Sequence, residues 1–356
     1  MSKIFFSVAA LSQGGAERVL SILSKDLANN FDEVQYIMWY DLPVFYSVDP
    51  RIRLISIEKE SGCNNMFGKM RWFRKYINSN KPDLILSFSA PFNMLTLASL
   101  LFTTHKVIAC ERVDPRSFRW GKHLEILRNL LYKKACGILA QTQISKDYFK
   151  GSLYDKTEII FNPVSMNYEE VGSAIKSCKR NLIVTAARLA KQKNHISLIT
   201  TFAKFKETHP DYRLIIYGEG PERSTLENLI KKLDLSDSVF LPGSVKDLWD
   251  RIKSARLFVM TSFVEGMSNS MIEAMCLGIP TISTKVSGAT DLIVTYKNGI
   301  LINIDDDKEL YDAMCKVCDN DDLAVKLGKN GARLYDKLKV EEISKQWIEY
   351  IKEKIE

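Results

Sequence analysis

Short apolar runs alternate with longer amphipathic stretches along nearly the whole chain, and this alternation restricts the fold more than any other feature. Two such runs, Arg256 to Thr261 and Pro280 to Lys285, enclose a stretch of helical character. Apolar, β-branched runs separated by helices are typical of parallel strands joined by crossover helices. The pattern therefore predicts an α/β fold of doubly wound parallel sheets.

The alternation occurs in both halves of the chain. A length of 356 residues exceeds what one ordinary core accommodates, so we predict two Rossmann-like domains. Asn162-Pro163-Val164 breaks the pattern before a polar stretch, which places the first domain at 1–165, the second at 166–339 and a final helix at 340–356. The other predicted strands are Lys3 to Ala10, Glu33 to Trp39, Ile52 to Ile57, Pro82 to Phe88, Lys106 to Cys110, Gly137 to Gln141, Glu158 to Phe161, Leu182 to Ala186, Arg213 to Tyr217 and Val239 to Leu241.

Composition excludes several kinds of protein. No apolar run reaches the roughly 20 residues of a transmembrane helix, and the N-terminal stretch fits a first strand better than a signal peptide. Seven scattered cysteines indicate reduced thiols in a cytoplasmic protein. Cys315-x-x-Cys318 has helical spacing and the four histidines are dispersed, so we predict no metal site.

Positive charge is concentrated in the first half. Through Ser165, 22 Lys and Arg stand against 15 Asp and Glu, an excess of seven, whereas the remainder is balanced. This asymmetry indicates an acidic partner, such as an anionic membrane surface or a phosphate-bearing substrate. We expect no nucleic acid. The basic, aromatic stretch from Asn64 to Asn80 fits a membrane-surface helix and equally an ordinary helix with a basic face; Arg116 to Lys134 is also markedly basic.

Loops rich in Gly, Arg, Lys and Glu follow the predicted strands of the second half, where open parallel sheets bind ligands. Arg188 and Lys193 follow one strand, and both side chains suit phosphate. Ser268, Asn269 and Ser270 open a helix after another strand, and a helix start attracts anions through its N–H groups and dipole. These loops therefore predict an anion site.

Two acids flank that helix start. A carboxylate accepts hydrogen bonds from sugar hydroxyls, so Glu273 is a candidate ligand of a ribose. Alternatives remain open: Glu273 could be an exposed helix acid, and Glu265 an acid that favours the helix dipole. In the first half, Gly14-Gly15 lies between a strand and a helix and fits either close approach to a ligand or a tight turn.

Five short motifs occur in a fixed order: Gly14-Gly15-Ala16-Glu17-Arg18, Arg188 to Lys193 within ARLAKQKN, Gly218-Glu219-Gly220-Pro221, Pro242-Gly243, and Glu265-x7-Glu273 within EGMSNSMIEAMCLGIP. Together they resemble the retaining family 4 glycosyltransferases of GT-B fold, over nearly the whole chain. The ERVDP of Glu111 to Pro115 and the EGMSN form resemble the branch that builds bacterial capsular, exopolysaccharide and lipid-linked glycans.

The resemblance implies two Rossmann-like domains facing across a cleft, the second binding a nucleotide-sugar, expected to be a UDP-sugar, and the first a glycan or polyprenyl-linked acceptor. The transfer would retain configuration, without metal or cofactor, and the leaving phosphate would help to deprotonate the acceptor. The enzyme would be cytoplasmic, or peripheral on the inner membrane face. The implied roles are as follows: Arg188 and Lys193 hold the diphosphate, Glu273 binds the ribose, Glu265 lies by the donor sugar, Gly15 approaches the phosphate, Gly218 and Gly220 line the pocket, and Pro242 and Gly243 flank the base.

The chain departs from the family pattern in the first domain. Many relatives carry a histidine near the reacting sugar, whereas the strand-end position here has Glu111 and Arg112, which become the acceptor-side candidates. Two alternatives stay open: an enzyme on the same fold such as a UDP-N-acetylglucosamine 2-epimerase, and a non-catalytic protein that binds a nucleotide-sugar or glycan.

Overall fold

The computed structural model describes residues 2–12, 14–117, 121–166, 180–245 and 247–356. These form two compact units, one of Met1–Pro163 with Val340–Glu356 and one of Val164–Lys339. The expected domain limits of 1–165 and 166–339 differ from these units only in residues 164 and 165. Most of the polar stretch expected between the domains, 167–179, lies outside the described residues.

The first unit is built on a parallel sheet with the strand order β3-β2-β1-β4-β5-β6-β7. The strand order reverses direction between β1 and β4, which is the arrangement of a doubly wound sheet. Its strands are β1 Lys3–Val8, β2 Glu33–Met38, β3 Arg53–Ser56, β4 Leu84–Phe88, β5 Val107–Cys110, β6 Gly137–Ala140 and β7 Thr157–Ile159.

Helices cover this sheet and bury its apolar side chains. Phe5, Ile37 and Ile85, from β1, β2 and β4, belong to one buried cluster, and each such side chain contributes about 1.5–3 kcal/mol by leaving water. The helices of the unit are α1 Gly15–Asn30, α2 Ile57–Ser61, α3 Met66–Asn80, α4 Ala90–Ser99, α5 Lys122–Tyr132, α6 Gln143–Tyr148 and α7 Ser152–Asp155.

The second unit repeats this plan with a parallel sheet of order β10-β9-β8-β11-β12-β13. Ile183, Leu257 and Ile282 lie in its core. Its strands are β8 Arg180–Ala186, β9 Arg213–Tyr217, β10 Val239–Gly243, β11 Ala255–Met260, β12 Thr281–Thr284 and β13 Ile300–Ile302. Its helices are α8 His195–Thr208, α9 Arg223–Lys232, α10 Leu248–Ile252, α11 Asn269–Cys276, α12 Ser287–Leu292, α13 Asp307–Cys318, α14 Asp321–Ala332 and α15 Tyr335–Leu338.

One predicted loop is a helix. The stretch Val286 to Asp291 follows the strand Pro280 to Lys285 and is predicted as a loop, but all of it except Val286 lies in helix α12. The Gly288 amide donates to the carbonyl of Gly266 at 2.7 Å, and a Cβ on Gly288 would lie 2.4 Å from that oxygen. The glycine is therefore required by a close approach of two backbones, and not by a turn.

The last helix, α16 Val340–Ile355, belongs to the first unit. Its Trp347 is fully buried and stacks on Phe88 of β4, with 5.9 Å between ring centroids. The chain thus leaves the first unit after Pro163 and returns to it at Val340. Among the described residues, no helix is both long and apolar enough to cross a membrane.

Candidate active site

Except for Gly15, the residues predicted to bind a donor lie at the carboxyl ends of adjacent strands of the second unit. This edge is where open α/β sheets bind ligands. Arg188 and Lys193 follow β8, Gly218 and Gly220 follow β9, Pro242 and Gly243 end β10, and Glu265, Ser268, Asn269, Ser270 and Glu273 follow β11. The structure therefore brings this part of the predicted set to one sheet edge.

Lys193 and Glu265 form an ion pair across two of these loops. Two hydrogen bonds fix the loops together: the Thr261 hydroxyl donates to the Lys193 carbonyl at 3.1 Å, and the Phe263 amide donates to the Gln192 carbonyl at 2.8 Å. Both charged side chains keep about a sixth of their surface exposed, 16% and 17%. The pair is thus held in place yet accessible to a solute.

Arg188 precedes this pair and is exposed. Its carbonyl lies 3.3 Å from Nε2 of His195, which is buried at the start of α8. Burial lowers the pKa of His195 to about 4, so the ring is neutral near pH 7. His195 therefore adds no positive charge beside Arg188 and Lys193, and it supports the loop that carries them.

The start of α11 is fixed by serine hydroxyls. Ser268 is the N-cap and accepts from the Met271 amide, and Ser270 donates to the Ala186 carbonyl at 2.5 Å. The two hydroxyls lie 3.2 Å apart. These contacts join the helix start to the end of β8. Because the hydroxyls of Ser268 and Ser270 are used in them, the predicted contact of Ser268, Asn269 and Ser270 with phosphate rests on the helix dipole and the backbone amides.

Glu273 lies within α11 and is only 2% exposed. Its neighbours along the helix, Ile272 and Ala274, are buried too. The alternative that Glu273 is an exposed helix acid is therefore wrong. Its charge adds to the effect of burial in raising the pKa of Cys276. A buried acid at this sheet edge fits a ligand that supplies hydroxyl donors.

The glycines after β9 allow neighbouring loops to touch. Gly218 has φ +140°, and a Cβ there would lie 2.0 Å from the Ala187 carbonyl oxygen. A Cβ on Gly220 would lie 2.3 Å from the Leu189 carbonyl oxygen. The Leu189 amide donates to the Glu219 carbonyl at 2.9 Å, which joins the same two loops. Packing of the loops alone therefore requires these glycines, and their role as pocket lining stays a prediction.

At the end of β10, Gly243 has φ +91° and accepts from the Gly218 amide at 2.9 Å. A Cβ on Gly243 would lie 2.7 Å from Glu219, whose carboxylate accepts two hydrogen bonds from Arg223, at 2.6 and 2.9 Å. Pro242 is exposed beside it. The exposed Pro242 ring therefore lies next to the turn at Gly243. Contact of these two residues with a base stays a prediction.

In the first unit, Gly15 is the first residue of α1 and Gly14 is its N-cap. The carboxylate of Glu17 lies over Gly14, because a Cβ there would be 2.1 Å from Oε2. Burial raises the pKa of Glu17, whereas its own backbone amide and the charge of Arg112 lower it. Glu17 therefore already covers the helix start that was predicted to approach a phosphate.

Glu111 belongs to a buried polar network. Its carboxylate is 1% exposed and accepts from the Tyr132 hydroxyl of α5 at 2.5 Å, and Asn93 of α4 donates to the same hydroxyl at 2.8 Å. Burial raises the pKa of Glu111 to about 7, against the opposing effects of Tyr132 and Arg128. Tyr132, Asn93 and Arg128 were missed in the sequence, because no motif links Glu111 to residues of α4 and α5.

Arg112 is also engaged within the first unit. Its guanidinium donates to Asn162 at 2.8 Å and lies 5.3 Å from the centre of the Phe88 ring. Burial lowers its pKa to about 10, so it stays charged at neutral pH. The roles of Glu111 and Arg112 at an acceptor stay predictions, and the structure shows that side chains of the first unit already contact both.

Among the described residues, one trio could hold a metal: the ligand atoms of His209, Cys315 and Asp319 lie within 4.8 Å of one another. His209 Nε2 is already 2.8 Å from Asp319 Oδ1. His209 precedes β9 and Cys315 lies in the last turn of α13, so the trio is at the amino edge of the sheet, opposite the predicted donor loops. The hydrogen bond between His209 and Asp319 accounts for the closeness of these two side chains without a bound ion.

Comparison with known proteins gives a consistent result. The family model described as glycosyl transferases group 1 matches residues 169–334. One curated relative is the GalNAc-alpha-(1->4)-GalNAc-alpha-(1->3)-diNAcBac-PP-undecaprenol alpha-1,4-N-acetyl-D-galactosaminyltransferase of Campylobacter jejuni subsp. jejuni serotype O:2, 25% identical over 99% of both chains. A second transferase of that organism, named for a diphospho-undecaprenol acceptor, is 27% identical over 96% of this chain and 97% of its own.

Solved structures share the fold across the whole chain. HepE from Anabaena in complex with UDP superposes with a TM-score of 0.81 at 17% identity, covering 99% of this chain and 100% of that one. TarM from S. aureus, in a complex that contains UDP, gives 0.80 at 15% identity over 98% and 99%. The chain has the GT-B fold, and the glycosyl transferase family model matches most of its second unit. The predicted pair of Rossmann-like domains is confirmed, and no relative or neighbour named here is an epimerase.

Proposed function

We propose that this glycosyltransferase moves a sugar from a UDP-sugar to a lipid-linked glycan, in surface polysaccharide biosynthesis, with retention of configuration and without a metal. One observation carries the proposal: Lys193, Glu265 and the α11 helix start share one sheet edge with the exposed Arg188. Support comes from neighbours solved with UDP and from relatives named for undecaprenol-linked acceptors.

Arg188 and Lys193 would stabilise the negative charge of the leaving nucleoside diphosphate. A nucleoside diphosphate carries its charge on oxygens that a guanidinium grips in a fork and an ammonium contacts as a point charge. Arg188 and Lys193 supply one of each, and the start of α11 adds the positive end of a helix dipole. With this charge in place, neutralisation of the leaving phosphate needs no metal ion.

The acids account for the sugars. Glu273, kept from water inside α11, would accept hydrogen bonds from the ribose hydroxyls. Glu265 is held by Lys193 and would contact the transferred sugar while Lys193 reaches the phosphate. The leaving phosphate oxygen would take the proton of the acceptor hydroxyl, so that bond breaking and bond formation occur on one face of the donor.

Product analysis tests this proposal. The full chain is incubated with a UDP-sugar and a polyprenyl-diphosphate-linked glycan, with and without EDTA, and the anomeric proton of the product is examined by NMR. The expected product keeps the configuration of the donor and forms equally well with EDTA. An inverted product, or loss of transfer on chelation, would contradict retention or metal independence respectively.

The donor can be identified without knowing the acceptor. A bound ligand stabilises the folded state by mass action, by about 2.7 kcal/mol at a hundred times its Kd. A thermal-shift screen of nucleotide-sugars should therefore show the largest rise in Tm with one UDP-sugar. A larger rise with a GDP-sugar or an ADP-sugar would overturn the choice of nucleotide. We further propose that the enzyme works on the inner face of the membrane, where a lipid-linked acceptor would be presented.

A further inference from the structure

Helix α5 presents apolar side chains to solvent. Ile126 and Leu130 are 58% and 55% exposed, and Leu124 and Leu127 are nearly half exposed. Ile126, Leu127 and Leu130 lie on one side of the helix, and we call these three side chains the outer face of α5, whereas Leu124 is in line with the buried Arg128 and Leu131. Among the described residues, no other helix carries four large apolar side chains with this exposure. Contiguous exposed apolar surface of this kind marks a site of contact with a partner or a membrane.

The opposite side of α5 is firmly attached to the first unit. Arg128, Leu131 and Tyr132 are buried, and Leu131 and Tyr132 belong to the core cluster. Tyr132 also donates to Glu111, and Arg128 donates to the Tyr148 hydroxyl at 2.7 Å. The helix therefore has apolar side chains on two sides, and only one of these sides is buried in the folded chain.

The charges around the outer face favour an anionic partner. Lys122 at the start of the helix and Lys133 and Lys134 just after its end are all exposed. Glu125 is the only acid within the helix, and it is half-buried. An apolar face bounded by lysines is the pattern of a helix that lies in a membrane interface, and each lysine near an anionic surface adds attraction.

The helix that the sequence indicated first is less suitable. In α3, Lys69 is buried and paired with Glu58 at 2.8 Å, and Arg74 donates to the carbonyls of Ser99 and Leu101 at 3.1 and 2.8 Å. Two of its four basic residues are thus used inside the first unit. Phe67 is its only large apolar side chain that is mainly exposed, among those the structure describes.

The loop after β2 is the other apolar candidate. Leu42, Val44 and Phe45 are each nearly half exposed. However, the segment from Tyr40 to Pro50 contains Asp41 and Asp49 and no Lys or Arg. An anionic surface would repel these acids, so the loop suits a neutral ligand better than a charged bilayer.

We propose that the outer face of α5 is a membrane-docking surface, which inserts its three aliphatic side chains among anionic lipids while Lys122, Lys133 and Lys134 contact the headgroups. The proposal rests on the proposed location at the inner membrane face and names the surface that would hold the enzyme there. Lipid binding by this face needs neither donor nor acceptor, so its failure would leave the proposed reaction untouched. It also assigns the positive charge of the first half to a defined surface.

Vesicle flotation of the full chain tests the apolar part. Vesicles contain equal parts of phosphatidylglycerol and phosphatidylcholine, and the buffer has low salt. The double variant Ile126→Ser/Leu130→Ser should weaken binding by about tenfold or more, because two half-exposed aliphatic side chains can no longer enter the bilayer. The control Val294→Ser/Val325→Ser removes apolar side chains of the second unit that are 59% and 51% exposed and should bind as the wild type does.

Charge reversal tests the electrostatic part. Lys133→Glu/Lys134→Glu should weaken binding to the same vesicles by about fivefold or more, and high salt should reduce the difference from wild type. The matched control is Lys326→Glu/Lys329→Glu on α14, where both lysines are exposed. Circular dichroism and Tm confirm that each variant is folded.

Three results would overturn the proposal. The first is wild-type protein that fails to float with anionic vesicles. The second is a loss of binding with Phe67→Ser or Leu42→Ser/Phe45→Ser that the α5 variants do not share. The third is a dimer in sedimentation equilibrium that Ile126→Ser/Leu130→Ser converts to a monomer, since the outer face would then be covered by a second copy of this chain.

Discussion

The two parallel sheets share one architecture but use the charged residues at their carboxyl edges differently. In the second unit, Lys193 and Glu265 pair with each other near the surface, and Arg188 is exposed. In the first unit, Glu111 and Arg112 are buried, and each has a hydrogen-bond partner from another element of the same unit. One edge keeps its charges accessible, and the other uses them for its own structure.

This difference separates two kinds of charged residue that look alike in a sequence. A buried charge is costly unless internal partners compensate it, so replacing it should change stability. An accessible ion pair contributes little to stability, so replacing it should change what the edge binds. The predictions below test this separation, beginning with the largest effect.

Lys193→Ala should lower kcat/KM by about 10²–10³, because a preorganised cation next to the leaving phosphate stabilises charge that develops in the transition state. The Tm should fall only slightly. Lys191→Ala is the matched control, since Lys191 lies in the same short turn and is exposed. Steady-state release of UDP from the donor with acceptor measures both variants. Equal activity of Lys193→Ala and the control would remove Lys193 from the site.

Arg112→Ala should lower the free energy of unfolding by about 2–3 kcal/mol, because Asn162 loses a buried charge-assisted partner and the packing against Phe88 is lost. Urea unfolding of the full chain measures the change. Arg116→Ala, in the same loop but exposed, should cost less than about 0.5 kcal/mol. A stable Arg112→Ala that no longer transfers sugar would show that this edge also faces a substrate and would erase the contrast.

Much of the fold follows from local sequence pattern. Apolar runs located twelve of the thirteen strands within a few residues among those the structure describes, since a buried parallel strand leaves an uninterrupted hydrophobic signal. The segment Val286 to Asp291 was predicted as a loop after a strand, whereas it forms most of helix α12, where Gly288 contacts Gly266. Such contacts between distant segments leave no local signal.

The candidate site divides in the same way. Arg188, Lys193, Glu265 and Glu273 were named as candidates from the sequence, and the structure places them at one edge because strand ends of a parallel sheet converge there. The engagement of Glu111 by Tyr132 was not predictable. It depends on how α5 packs against α4, and hydrogen-bond partners 21 residues apart have no characteristic spacing. Residue type and position after a strand indicate a candidate binding residue. The burial of its side chain and the partners it contacts then help to distinguish a binding role from a structural one.

Glu273→Gln should raise the KM for the donor about tenfold with a smaller effect on kcat, since an amide accepts hydroxyl hydrogen bonds more weakly than a carboxylate. Glu273 is a buried acid at the edge whose other charges are accessible, so this variant also tests whether a buried residue of the second unit binds a ligand. Calorimetric titration with uridine and with inorganic diphosphate separates the contacts: affinity for uridine should fall, and affinity for diphosphate should not. A variant that loses both equally would assign Glu273 to the structure of α11.

Glu111→Gln should make stability less dependent on pH. The folded pKa of Glu111 is raised to about 7 from an ordinary value of 4.5, so the folded state holds its proton where the unfolded state has released it. Stability from this group is therefore complete below the unfolded pKa and declines as the pH rises through the folded one. Between about pH 6 and about pH 8, wild type should lose roughly 1.4 kcal/mol more unfolding free energy than the variant.

Urea unfolding at these two pH values measures the difference, and Glu60→Gln, which replaces an exposed acid of α2, should behave as the wild type does. The glutamine amide introduced by Glu111→Gln keeps an oxygen for the Tyr132 hydroxyl but cannot ionise, so the comparison isolates the charge. If wild type and Glu111→Gln respond identically to pH, the carboxylate is solvated and the first edge is as accessible as the second.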